Sequence, residues 1–313
     1  MPQTQSWSRR IGRQRDWLWR GWQIRYSYQR PTHPTGSPLL FVHGFGAAIE
    51  HWQHNIPVLA EQRAVYAIDL LGFGGARKAA TDYSASLWAE QIHDFWATFI
   101  GEPTVLVGNS LGSLVCATAA AQYPELARSL VMLNLPDVSL RQAAIPVWAR
   151  SLVASMENAF AAPPLLRLLF RLLRQRSVVR RWAQFAYAEP AAITDELVEI
   201  FALPASDRDA AIAFCALSRA ARQPNFAPAM RSLLAQLSLP MLLAWGERDR
   251  MVPFSLARYY RDCNPRLTFV PLPGRGHCPH DEAPAEFNAL LLDWLATEGD
   301  GVESKLAVVT RNG

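Results

Sequence analysis

Six short, almost continuously apolar runs recur along this chain of 313 residues. They are residues 38–42, 64–70, 104–109, 129–135, 240–246 and 267–272. Most of them are separated by segments in which apolar residues follow helical spacing. Strands that lack polar alternation are typical of a parallel sheet that is covered by helices on both faces. The sequence therefore predicts an α/β fold with a mostly parallel central sheet, preceded by an antiparallel strand in the alternating segment 22–30.

One interval breaks this regular order. About a hundred residues separate the fourth run from the fifth, whereas a crossover between parallel strands needs only about a dozen. We therefore predict an inserted helical cap at residues 137–236, in which Thr194 caps one helix and Ser206 forms a capping box with Asp209. The other predicted units are listed here: a basic Trp- and Arg-rich arm with the first strand at 1–30, the core at 31–136 and 237–296, and a mobile tail at 297–313.

Residues 108–112 read Gly-Asn-Ser-Leu-Gly and lie directly between a predicted strand and a predicted helix. This is the context in which the pattern G-x-S-x-G forms a sharp turn that exposes its serine. The strained turn leaves no space for side chains at Gly108 and Gly112, and it presents Ser110 at the positive end of a helix. The pattern predicts that Ser110 is a nucleophile.

A serine hydroxyl needs a base, and the base needs an orienting carboxylate. His277 follows the last apolar run, and Asp249 follows the one before it. The chain order Ser110, Asp249, His277 predicts a catalytic triad. Asp137, which follows the fourth run, remains an alternative acid. His280 is expected at the surface or in a supporting position.

The first apolar run ends in His43-Gly44-Phe45-Gly46. A tight turn here directs a backbone N–H towards a bound carbonyl oxygen, so we predict an oxyanion hole made by the N–H groups of Phe45 and Leu111. Gly44 and Gly46 shape this turn, and His43 is expected to stabilise it by a hydrogen bond.

Other signals limit the possible partners. The four cysteines are scattered, His51 and His54 lack a third ligand, and no G-x-G-x-x-G follows a strand, so we expect no disulfide framework, metal or cofactor. Without a secretory leader or a bilayer-length apolar run, the protein is expected to be intracellular. Residues 1–30 carry seven arginines against one acid, and residues 141–187 carry eight against one. Peripheral contact with a membrane surface and an ordinary solvated basic surface both remain open; no nucleic acid is expected.

With these motifs, residues 38–295 resemble the α/β-hydrolase superfamily. A closer resemblance, to the chlorophyll dephytylases of chloroplasts and cyanobacteria and to pheophytin hydrolases, rests on the following segments: VYAIDLLGFG, GEPTVLVGNSLGSLV, LNLPDVS, DELVEIFALPASDRDAAIAF and GRGHCPHDEAP. The resemblance implies a cofactor-free serine hydrolase that cleaves chlorophyll to chlorophyllide and phytol, peripheral on a photosynthetic membrane. Three alternatives remain open: a generic esterase or lipase, a carbon–carbon bond hydrolase, and a ligand-binding receptor with a vestigial triad.

Overall fold

The computed structural model of the chain describes residues 10–138 and 163–300. Its centre is one sheet of eight strands in the order β1-β2-β4-β3-β5-β6-β7-β8. The strands are β1 (Arg13–Trp19), β2 (Trp22–Gln29), β3 (Leu39–Val42), β4 (Val65–Ile68), β5 (Thr104–Asn109), β6 (Ala127–Leu133), β7 (Met241–Gly246) and β8 (Leu267–Leu272). Strands β3 to β8 are parallel to one another, and β2 is antiparallel to both β1 and β4. The predicted α/β fold is confirmed. The antiparallel strand predicted at 22–30 is β2, and a further strand, β1, precedes it.

The helices cover both faces of the sheet or lie between β6 and β7. They are α1 (Ile56–Leu59), α2 (Ala85–Phe99), α3 (Leu111–Gln122), α4 (Pro163–Leu173), α5 (Arg176–Ala186), α6 (Asp195–Ala202), α7 (Ala210–Ala220), α8 (Met230–Leu234), α9 (Pro279–Glu282) and α10 (Pro284–Trp294). Helices α4 to α8 belong to the segment in which the sequence predicts a cap. Of the predicted units, residues 1–9 of the arm, 139–162 of the cap and 301–313 of the tail lie outside the described residues.

The continuous apolar runs follow from burial of the sheet on both sides. In β3, Leu40 and Val42 face one hydrophobic core, which α2 and α3 cover. Leu39 and Phe41 face a second core, which α1 and α10 cover. Because neighbouring residues of a strand point to opposite faces, a strand between two cores needs apolar residues at every position.

The cap helices begin partly as the sequence predicts. The Thr194 side chain accepts a hydrogen bond from the backbone N–H of Leu197 at the start of α6. The predicted capping box is wrong: Asp209 precedes α7 without a side-chain cap, and the Ser206 hydroxyl instead donates to the carbonyl of Ala202, 3.1 Å away. Ser206 ends a separate 3-10 turn, so its hydroxyl serves the preceding turn rather than α7.

Both ends of the described chain are fixed to the core. The hairpin β1–β2 places the Trp17 ring against two phenylalanines of α2, and the Trp19 indole N–H donates to Asp94. At the start of the predicted tail, Leu295–Gly299 forms a π-helical turn, and Asp300 is buried in an ion pair with Arg63, with an N–O distance of 2.9 Å. This paired, buried charge joins the end of the described chain to the core. Within the described residues, no helix has the length and hydropathy needed to cross a bilayer.

Candidate active site

The turn between β5 and α3 holds Ser110 in a strained conformation. Its φ of 53° and ψ of −116° are unusual for a residue with a side chain. A Cβ atom on Gly108 would lie 2.4 Å from the backbone of Gly112, and one on Gly112 would lie 2.1 Å from the carbonyl oxygen of Val42. Strand and helix therefore approach so closely that both positions require glycine. The Ser110 N–H donates to the carbonyl of Leu133 on β6, which fixes the turn to the neighbouring strand.

Asp249 and His277 form a buried hydrogen-bonded pair. Asp249 Oδ2 lies 2.8 Å from His277 Nδ1. The other carboxylate oxygen accepts from the backbone N–H groups of Met251 and Val252, at 2.7 and 2.9 Å. An ionised carboxylate only accepts hydrogen bonds, so the shared proton lies on Nδ1 and leaves Nε2 of His277 free to act as a base.

Ser110 and His277 both line one cavity. Within the part of the chain that the structure describes, no hydrogen bond joins Ser110 Oγ to the His277 ring. The loop that carries His277 is nevertheless tied to the serine turn, because the Asn109 side-chain amide donates to the carbonyl of His277 across 3.0 Å. The structure thus brings the predicted acid and base into contact and places the predicted nucleophile in the wall beside them. Catalytic hydrogen bonds are often longer without a substrate than with one.

The turn after β3 lines the same cavity as Ser110 and His277. Buried His43 accepts from the N–H of Leu70 through Nε2, at 3.1 Å, so its Nδ1–H donates to the carbonyl of Gly44, at 2.8 Å. Burial lowers the pKa of His43, which agrees with a neutral ring. A Cβ atom on Gly44 would lie 3.0 Å from Asn109 Oδ1, and Gly46 has a φ of +72°.

The predicted oxyanion donors are the backbone N–H groups of Phe45 and Leu111. Leu111 follows Ser110 as the first residue of α3, and Phe45 lies in the wall of the cavity that Ser110 also lines. Across residues 10–138 and 163–300, neither N–H donates to an acceptor of the protein. Two unsatisfied donors beside a serine hydroxyl are able to bind an anionic oxygen.

The alternative residues lie elsewhere. Asp137 is half-buried near Tyr260, where burial and then the Asp137 charge raise the pKa of the tyrosine. His280 is fully buried, with its ring centroid 4.1 Å from that of Trp52 and 4.5 Å from that of His51. The expected surface position of His280 is therefore wrong, and burial holds its pKa well below the ordinary value. The carboxylate in contact with His277 is Asp249.

Three polar contacts at the site were not predicted from the sequence. The Asn134 side-chain amide donates to Asp249 Oδ2 across 2.6 Å. It follows β6, and its φ of 51° is tolerated by asparagine better than by most residues. The Ser113 hydroxyl lies within hydrogen-bond distance of the carbonyls of Gly108 and Leu133, which ties the serine turn to β6. A strand-end asparagine and a small polar residue in the turn were the only signals available.

The third contact is a buried chain of polar groups behind the site. His51 Nε2 lies 2.9 Å from the Tyr187 hydroxyl, which donates to Asp281 Oδ2 across 2.7 Å. Burial lowers the pKa of His51 to about 3 and raises that of Asp281 to about 7. Burial also raises the pKa of the neighbouring Cys278 thiol, which therefore stays protonated. The described residues hold no cluster of three or more His, Cys, Asp or Glu side chains suited to a metal ion.

The cavity has a volume of about 350 Å³ and a largely apolar wall. Ser110, His277 and the turn after β3 form one side. The other side comes from the cap helices and consists mainly of the following residues: Phe170, Leu173, Val178, Val179, Trp182, Phe201 and Phe214. A second cavity of about 70 Å³ shares Phe170, Phe201 and Phe214 with the first. The catalytic candidates thus come from the sheet, and the apolar wall comes from the cap.

Comparisons with known proteins agree with this geometry. The model of the alpha/beta hydrolase family matches residues 39–290. The dihydrolipoyllysine-residue acetyltransferase component of the acetoin cleaving system of Pseudomonas putida is 28% identical over 83% of this chain and 64% of its own length, so this chain spans less than two thirds of that relative. Lipase 3 of Moraxella sp. is 24% identical over 82% of this chain and 76% of its own length. The crystal structure of a membrane phospholipase A, a bacterial virulence factor, has a TM-score of 0.73 and 26% identity, covering 93% of this chain and 88% of that one. The family model covers strands β3 to β8, the serine turn and both loops of the acid–base pair, and the chain belongs to the alpha/beta hydrolase family.

Proposed function

We propose that this protein is a serine hydrolase that cleaves carboxylic esters with a large apolar part. The observation that carries the proposal is the Asp249–His277 hydrogen bond beside a cavity that also exposes Ser110. A neutral histidine oriented by a carboxylate is the base that a serine hydroxyl needs. The phospholipase A and Lipase 3 to which the chain is similar are, by name, enzymes that act on esters.

The residues of the site account for each step. His277 Nε2 takes the proton of Ser110 as Oγ attacks the ester carbonyl, and Asp249 stabilises the imidazolium that results. The N–H groups of Phe45 and Leu111 bind the anionic oxygen of the tetrahedral intermediate. His277 then protonates the departing alcohol, which leaves an acyl group on Ser110. A water molecule, deprotonated by His277, attacks that acyl group, and His277 returns the proton to Ser110 Oγ as the acid is released.

We propose a phytylated tetrapyrrole such as chlorophyll as the substrate. Support comes from the motif resemblance to chlorophyll dephytylases and from the apolar wall of the cap. A cavity of about 350 Å³ is near the lower end of the ~300–1,000 Å³ usual for ligand pockets. Such a cavity has room for one arm of a large ester, so the rest of the pigment would remain outside it.

Labelling and turnover test the proposal together. A fluorophosphonate is expected to add one adduct to the wild-type chain and to a Ser255→Ala control, whose serine is exposed and does not line the cavity, and none to Ser110→Ala. Chlorophyll a incubated with the wild type is expected to give chlorophyllide and phytol by chromatography. An adduct that persists in Ser110→Ala would overturn the assignment of the nucleophile.

The same substrates separate the alternatives. Brisk cleavage of simple acyl esters with no release of phytol would replace the pigment by a generic ester. Cleavage of a carbon–carbon bond next to a ketone, without cleavage of any ester, would indicate a carbon–carbon bond hydrolase. Tight binding of an ester, with neither labelling nor turnover, would indicate a receptor.

A further inference from the structure

Helix α4 exposes one face of leucines to solvent. Leu168 and Leu172, one turn apart, are 56% and 50% exposed. The other exposed leucines of this face are Leu165, Leu169 and Leu173. A different side of the helix packs inward, where Leu166 is buried and the Phe170 ring lies 4.9 Å from that of Phe214 on α7. Contiguous apolar surface of this kind on a soluble domain is typical of an interaction site.

The charges carried by α4 and α5 themselves have one sign. Residues 163–186, which span α4 and α5, contain six arginines and no aspartate or glutamate. Arg176 and Arg180 are paired with Glu199 and Asp195 of α6. Arg171, by contrast, makes no ion pair with any described residue, and helical spacing places it on the side of α4 away from the leucines. A helix with a leucine face, a basic polar face and no acidic residue has the composition of helices that lie in the interface of an anionic membrane.

The leucine face also adjoins the candidate active site. Leu173 is 39% exposed and at the same time lines the cavity with Phe170 and Arg174. A surface that binds through α4 would therefore lie at the mouth of the cavity. The basic hairpin β1–β2 is a weaker candidate for this role because its Trp17 and Trp19 rings pack on α2.

We propose that α4 docks this protein on an anionic lipid surface, with the leucine face inserted among the acyl chains and the arginines at the headgroups. Docking in this orientation brings the mouth of the cavity to the membrane, where an apolar ester is dissolved. This route for the ester rests on the proposed function, whereas the docking itself does not. Lipid is favoured over a protein partner because the face combines apolar side chains with an unbalanced positive charge.

Flotation with vesicles tests the docking without any hydrolysis. The vesicles consist of ether-linked phosphatidylcholine, with or without ether-linked phosphatidylglycerol, so that they contain no ester to cleave. Wild type and Ser110→Ala are expected to float equally well with the anionic vesicles, and less well at high salt or without phosphatidylglycerol. Failure of the proposed function would leave this result unchanged.

Two variants locate the surface. Leu168→Gln combined with Leu172→Gln is expected to weaken vesicle binding by about tenfold for each leucine, and Arg171→Gln is expected to weaken it less. The matched control is Leu18→Gln, which removes a 70% exposed leucine from the basic hairpin and is expected to bind as the wild type does. Turnover of a soluble ester is expected to be the same in all four proteins.

Four outcomes would overturn the proposal. The first is that the wild type does not float with anionic vesicles. The second is that the double variant of Leu168 and Leu172 floats as well as Leu18→Gln does. The third is a lower unfolding temperature of the double variant, which would show that another part of the chain covers the face. The fourth is a wild-type dimer that the double variant abolishes, which would make a second copy the occupant.

Discussion

Asp249→Asn is the substitution for which the geometry predicts the sharpest result. The Asp249 carboxylate accepts four hydrogen bonds: two from the backbone N–H groups of Met251 and Val252, one from His277 and one from Asn134. All four partners are donors. An amide in this place has one oxygen that still accepts and one NH₂ group that must find acceptors instead.

The surroundings decide how the amide orients. Its oxygen stays on the two backbone N–H groups, which cannot become acceptors, so its NH₂ group replaces Oδ2. Asn134 can rotate its own amide to receive one N–H, since its side-chain oxygen has no partner at present. The other N–H points at His277 Nδ1, which must then be deprotonated. The ring proton moves to Nε2, and His277 can no longer accept the proton of Ser110.

The wrong tautomer of a catalytic histidine lowers kcat by about 10⁴-fold. This factor corresponds to about 5 kcal/mol of activation free energy. Folding is expected to change far less, because the oxygen of the new amide keeps the backbone N–H groups of Met251 and Val252. The assay is turnover of a soluble nitrophenyl ester, together with the rate of fluorophosphonate labelling and thermal unfolding of the same samples. Asp137→Asn is the control, with activity close to that of the wild type. More than about a tenth of the activity in Asp249→Asn, or a larger loss in Asp137→Asn, would refute the reasoning.

Three further substitutions test the turn, the cap and the buried polar chain. Gly112→Ala is expected to lower the free energy of unfolding by ~3 kcal/mol or more. The control is Gly274→Ala, for which about 1–2 kcal/mol is expected because Gly274 has a positive φ but open space around it. Equal losses in denaturant titrations would contradict the close approach of strand and helix at Gly112. Phe214→Ala opens the wall shared by the two cavities, so kcat/KM for longer acyl esters is expected to rise by about fourfold for each extra methylene bound. Phe185 is exposed and lies outside the wall, so Phe185→Ala should leave the dependence of kcat/KM on chain length unchanged. Because the pKa of Asp281 is raised, the folded protein keeps a proton that the unfolded chain loses, so the free energy of unfolding falls as the pH rises from about 4 to 7. Asp281→Asn should remove this fall. The same dependence of the free energy of unfolding on pH in both proteins would contradict the role assigned to Asp281.

The sequence predicts those parts of the fold that local patterns encode. Continuous apolar runs identify strands between two cores, as in β3, where alternate residues serve opposite faces. The serine turn is predictable for a similar reason. The close approach of strand and helix requires glycine at positions 108 and 112, and both lie within one motif of five consecutive residues. Thr194 caps α6 through the N–H three residues later, which is again a local contact.

Contacts between distant residues could be predicted only where a motif names both partners, as for Asp249 and His277. The Asn134 amide meets Asp249 across 115 positions of sequence, and Arg63 meets Asp300 across 237. No motif names these pairs, and one sequence alone does not show which of its other polar residues pair once the chain folds. His280 shows the same limit, because a polar residue type suggests the surface, whereas its ring fits against Trp52 in the interior.

The candidate catalytic residues and the apolar wall of the cavity come from different parts of the chain. Ser110, Asp249 and His277 all stand in turns or loops that follow strands of the sheet, so their mutual geometry depends on the packing of the core. The opposite wall of the cavity comes from α4 to α7, and its contribution is almost entirely apolar. Apolar walls select by length and shape, and one methylene changes binding by only ~0.8 kcal/mol. Under the proposed function, the core motifs of a sequence identify the reaction and leave the ester unnamed, because many weak contacts of the cap, rather than any single residue, would select the substrate.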